Sequence, residues 1–132
     1  MRTKAREVVF QIVFAAYFGG ADNELKSSLS KKESLNDDDK KYVDEVLSLI
    51  KNHNSVLTEI IDKRSVAFPE CRIYPADKSI ILVALAEILF MPDVPKPVSV
   101  NEAANMASKY SSPKSASFVS GILSDVEKGS YV

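Results

Sequence analysis

Three cations open the chain on alternate positions, Arg2, Lys4 and Arg6. The apolar run from Val8 to Phe18 follows them, so they fall on the first turns of a helix, where the dipole disfavours positive charge. Phosphate contact would give these charges a use, each neutralised phosphate adding a salt-dependent contribution to binding. The plain alternative is a solvated terminus. A second group lies far along the chain, where Phe118 follows Lys109 and Lys114. An aromatic ring beside cations suits stacking on an unpaired RNA base, worth ~1–3 kcal/mol per base. The residues alone favour a core phenylalanine instead.

Other reactive side chains point to less chemistry. Asp37, Asp38 and Asp39 follow Asn36. Three acids behind a capping residue read as a helix start better than as a metal cluster, since no further ligand has matching spacing. Cys71 is the one cysteine, so no internal disulfide is expected and a reducing compartment is the simplest setting. His53, the one histidine, has no partner pattern for a nucleophile or a base and is assigned no role. No CxxC, HExxH, P-loop or GxGxxG pattern occurs. Glu87 stands out differently. It interrupts a run apolar on almost every side, from Ile80 to Leu89. A carboxylate there must either reach the helix surface or pair with a cation.

Composition bounds what can hold these residues. The chain has 132 residues, enough for one domain. Apolar residues make up 45%, which excludes a disordered chain, and only four glycines lean it towards helices. Net charge is −1, which argues against nucleic-acid binding by bulk positive charge and leaves room for a local basic patch. The basic start and apolar run superficially resemble a signal peptide. Glu7, Gln11 and the lack of a clear cleavage site argue for a buried helix, and the run is shorter than the ~20 residues a bilayer needs. The chain is read as cytoplasmic, with no membrane association.

Helical periodicity predicts seven helices and no strand. The first runs from about Lys4 to Phe18 and stops at Gly19-Gly20. A short polar helix covers Asn23 to Lys32. A third follows Asn36 with an apolar stripe of Tyr42, Val43, Val46, Leu47 and Ile50. His53-Asn54 marks a break before a fourth helix to about Lys63. Phe68-Pro69 to Tyr74 is a connector, and Pro75 opens the fifth helix. Pro92, Pro95 and Pro97 predict an extended loop. Ser99-Val100-Asn101-Glu102 then reads as a capping box, with Ser99 as N-cap of the sixth helix. Small residues Ala103, Ala104 and Ala107 allow a close helix contact. Ser112-Pro113 caps the seventh. Gly121, inside that helix, predicts close approach of another helix or of a ligand backbone.

Taken in order, these segments resemble the NusB family. Lys4-Ala5-Arg6-Glu7-Val8-Val9-Phe10-Gln11 is similar to its opening. Asp77-Lys78-Ser79-Ile80-Ile81-Leu82, Ala86-Glu87, Val94-Pro95, Val98-Ser99-Val100-Asn101-Glu102-Ala103, Lys109-Tyr110 and Phe118-Val119-Ser120-Gly121-Ile122-Leu123 follow with agreeing spacing. Residues 20 to 70 carry little of the likeness. Ser120 stands where the family usually has Asn, Lys114 where some members carry an acid, and Ala86 where an aromatic is common.

The resemblance implies an all-α fold of two packed helical bundles in a single domain, 1–132, with sub-bundles roughly 1–66 and 70–132. It implies a non-catalytic transcription antitermination factor. Such a factor binds boxA-type single-stranded RNA together with NusE, a ribosomal small-subunit protein. The pair joins elongating RNA polymerase, notably on ribosomal RNA transcripts. Carried onto this sequence, RNA contacts fall on Arg2, Lys4, Arg6, Lys109, Lys114, Phe118 and Ser120, and Glu87 falls near the partner surface. No cofactor is implied, and the chain could form a homodimer. Two other readings stand beside it. One is a protein-only adaptor that keeps the fold without RNA. The other is an RNA-binding module related to ribosomal RNA cytosine methyltransferases.

Overall fold

Pro75 sets the start of the most apolar helix, its fixed φ suiting the first helical position. This helix, α5 (Pro75–Phe90), is buried at every position from Ser79 to Ile88. A helix apolar all round must be covered all round, and the other elements do that. The computed structural model describes residues 2–20, 23–66 and 73–128. Among these the remaining helices are α1 (Arg2–Ala16), α2 (Asn23–Lys32), α3 (Asp37–Asn52), α4 (Asn54–Val66), α6 (Lys96–Tyr110) and α7 (Pro113–Glu127). α1, α3 and α4 pack against α5, as do α6 and α7, while α2 packs against α1. The protein is all-α, with two helical bundles that share α5. No helix among the described residues is long and apolar enough to cross a membrane.

Local signals explain most boundaries. The Asn36 side chain accepts from the backbone N–H of Asp39 at 2.8 Å and caps α3, so the acidic triad is a helix start. Ser112 caps α7 by accepting from the N–H of Ser115, with Pro113 behind it. α1 ends in turns that reach Gly19, whose φ of +75° suits glycine. His53 closes α3 and lays its ring on Phe90, with centroids 4.0 Å apart and planes 18° apart. The connector around Phe68 and Cys71 lies outside the described residues.

Two expectations fail. α6 begins at Lys96, behind Pro95, not at Ser99. Lys96-Pro97 suits a first turn because Pro lacks only an N–H that has no helical partner there. Ser99 is therefore inside the helix and buried, and it donates to Glu87 instead of capping. Gly121 has open space where a Cβ would stand, so no other helix approaches it closely. The close helix contact comes from α6, where Ala103 and Ala107 are buried in the core.

Candidate nucleic-acid interface

The first two turns of α1 carry five polar side chains, which part company according to the face they occupy. Arg6 points inward and is 4% exposed. Its guanidinium donates twice to Glu87 of α5, Nε to Oε2 and Nη2 to Oε1, both at 2.9 Å. Its third nitrogen, Nη1, lies 3.3 Å from Glu102 of α6. Tyr42 of α3 donates its hydroxyl to Glu87 Oε2 at 2.6 Å, and Ser99 donates to Oε1 at 3.2 Å. Glu87 is 1% exposed, so four helices meet on one buried carboxylate. Burial works against the Arg6 charge, but the hydrogen bond and charge of Glu87 outweigh it and its pKa is raised. Burial and the same carboxylate push the Tyr42 phenol far above its ordinary range.

The outward face is built differently. Arg2 is exposed, with its guanidinium 4.4 Å above the centre of the Tyr42 ring. Lys4 is exposed and 3.5 Å from Glu33, just beyond α2. Thr3 donates to Glu102 at 2.9 Å. One turn on, Glu7 accepts from Lys109 at 2.6 Å and from the Tyr110 hydroxyl at 2.5 Å. Burial raises the Glu7 pKa, but these two donors more than reverse that and hold it below the ordinary value. Glu7 in turn raises Lys109 through its hydrogen bond, while Tyr110 is raised by burial and then by Glu7. Lys109 keeps half of its side chain in solvent. The Tyr110 ring lies 4.8 Å from Phe10, and the row of rings continues to Phe14 on α1 and Phe18 in the turn after it.

The structure thus brings Arg2, Lys4 and Lys109 around the start of α1. It does not leave Arg6 there, because two acids hold its guanidinium inside. Glu87 likewise has no surface to offer a partner, since paired burial is the other outcome open to a carboxylate in an apolar helix. Lys114 is exposed and Phe118 half-buried, and at i, i+4 they share a face of α7. That first turn is tied to α5 through Ser115, whose hydroxyl donates to Asp77 at 3.0 Å. Ser120 is half-buried on α7.

Sequence reasoning missed Tyr42, Glu102 and the Glu7–Tyr110 pair. A signal existed for Tyr42, because a tyrosine inside an apolar stripe needs a partner for its hydroxyl. It matched the demand that Glu87 made for donors.

The NusB family model matches residues 3–128, nearly the whole chain. The chain belongs to the NusB family. Its relatives include the transcription antitermination protein NusB of Agathobacter rectalis, 37% identical, covering 92% of this chain and 95% of that one. The protein of the same name from Natranaerobius thermophilus is 34% identical, covering 95% and 93%. Among solved structures, NusB in a complex of the antitermination factors NusB and NusE with double-stranded RNA superposes with a TM-score of 0.83. It is 21% identical and covers 97% of this chain and 96% of that one. NusB of T. maritima gives a TM-score of 0.75 at 24% identity, covering 97% and 91%. These likenesses establish the shared fold.

Proposed function

We propose that this NusB-family protein is a non-catalytic, cytoplasmic antitermination factor that binds boxA-type single-stranded RNA together with NusE. The observation that carries the reading is an exposed arginine and lysine on the first turn of α1, Arg2 and Lys4, in a chain of this family. Helix electrostatics gives no reason for cations there, while RNA phosphate does. Lys109 adds a third half-exposed cation beside them. Lys114 and Phe118 supply a second patch, a charge and a ring on one face of α7. The net charge of −1 sets low affinity for RNA alone and a need for NusE to complete the site. Joining of the pair to elongating RNA polymerase on ribosomal RNA transcripts belongs to the same reading.

The test is binding of a boxA-type single-stranded RNA at moderate salt, with and without NusE. RNA binding that NusE tightens supports the proposal, and RNA affinity unchanged by NusE overturns the cooperative part. Phe118→Ala should weaken RNA binding in a protein that stays folded. A protein-only adaptor is the second reading. One observation favours it, namely that Arg6, Lys4 and Lys109 each face a carboxylate of the protein itself. NusE binding without RNA binding would establish it.

A further inference from the structure

Arg2 and Arg6 are one helical turn apart, on the same side of α1, and their guanidinia flank a single ring. The Tyr42 centroid is 4.4 Å from Arg2 and 5.9 Å from Arg6. Two like charges at this spacing repel one another. Arg6 is anchored by Glu87 and Glu102, so the repulsion falls on Arg2. Alone, it would drive a long, exposed side chain into many rotamers, and a phosphate would have to order it again. The Tyr42 ring opposes that, because its face attracts a guanidinium. The ring is itself fixed, buried at 2% exposure with its hydroxyl on Glu87.

We propose that Tyr42 is a positioning residue for RNA binding: it holds the Arg2 guanidinium flat on its ring, with the charge outward, where a backbone phosphate can take it. The inference rests on the RNA-binding reading and adds to it the device that orders the basic arm. The chain of support runs inward from phosphate to Arg2, to the Tyr42 ring, to its hydroxyl and to Glu87. Arg6 serves the same end from inside. It holds the Glu87 side chain in place in the core through two hydrogen bonds and closes the inward direction to Arg2 by its own charge. A planar guanidinium suits this role better than an ammonium, because it can stack on the ring and still present N–H groups at its edge.

Two measurements on the full chain test this. The first is the NMR shift of the Arg2 side-chain protons in the free protein. Stacking displaces them upfield, Tyr42→Phe keeps most of the displacement, and Tyr42→Leu abolishes it. Random-coil shifts in the wild type overturn the positioning role whatever the protein does with RNA. The second is affinity for boxA-type single-stranded RNA with NusE present. Arg2→Lys keeps the charge and should weaken binding about three- to fivefold, the size of one exposed cation–π contact. Tyr42→Leu should weaken it to a similar degree, but should add nothing once Arg2 is glutamine. A purely structural Tyr42 would lower affinity equally in both backgrounds, which overturns the proposal. Should Tyr42→Leu fail to fold, Arg2→Lys and Tyr42→Phe still decide. Full RNA affinity in Arg2→Lys, or loss of the ring shift in Tyr42→Phe, overturns it. Absence of RNA binding by the wild type overturns the RNA reading itself and with it the phosphate role of Arg2, a result distinct from an unshifted Arg2.

Discussion

Two carboxylates of this protein receive the same kinds of donor in different surroundings. Glu87 takes an arginine and a tyrosine hydroxyl in the core, where Arg6 is 4% exposed. Glu7 takes a lysine and a tyrosine hydroxyl at the rim, where the Lys109 side chain is 53% exposed. In the core, water cannot replace a lost donor, so the geometry is fixed and each member depends on the others. At the rim Glu7 is itself buried, but the Lys109 end of the contact stands half in solvent, so water and salt compete for the lysine and that contact is adjustable. The core node therefore sets how α1, α3, α5 and α6 sit. The rim node ties the end of α6 to α1.

Breaking the core node should have the largest effect. Glu87→Ala leaves Arg6 buried with only Glu102 beside it, and is expected to cost about 3–5 kcal/mol of stability in chemical denaturation. A cost as small as that of a surface substitution would abolish the distinction between the nodes. Arg6→Lys is next. It keeps the charge but loses the two-pronged contact, with an expected cost of about 1–3 kcal/mol. Glu7→Gln should cost clearly less than Arg6→Lys, and the remaining difference from wild type should shrink as salt is raised.

The smallest effect, in acid, sharpens the contrast further. The Glu7 pKa lies below its ordinary 4.5 in the folded protein. Its folded form therefore binds a proton less readily than its unfolded form. The stability it contributes is fully present above pH 4.5 and is lost as pH falls through the lower folded value. Denaturation midpoints measured from pH 6 downward should fall less steeply for Glu7→Gln than for wild type below pH 4.5. Parallel curves would mean that the rim contact is absent in solution.

Much of the fold was legible in the sequence because it rests on local rules. Asn36 and Ser112 are good caps wherever they stand, Pro75 suits a first turn, and the run from Ile80 to Leu89 has to be buried. Ser99-Val100-Asn101-Glu102 shows where such rules stop. The pattern is a valid capping box, but Glu87, Arg6 and Thr3 compete for the same side chains, and the tertiary contacts win. The helix contact expected at Gly121 failed for the opposite reason, since nothing in a lone sequence separates a glycine that is needed for packing from one that is tolerated. The candidate interface was only half legible. Alternating cations at 2, 4 and 6 predicted a basic arm. That Arg6 turns inward follows from helical geometry combined with the partner Glu87 needs, and from neither alone.

The all-round burial of α5 also bears on how the protein is made. α1, α3 and α4 leave the ribosome before α5, and α6 and α7 after it, since the chain is synthesised from its N-terminus. For the time it takes to add α6 and α7, one flank of the most apolar helix has no cover. A nascent chain paused in that interval exposes a sticky face, so synthesis speed across residues 91–127 bears on yield even though no contact in the finished protein records it.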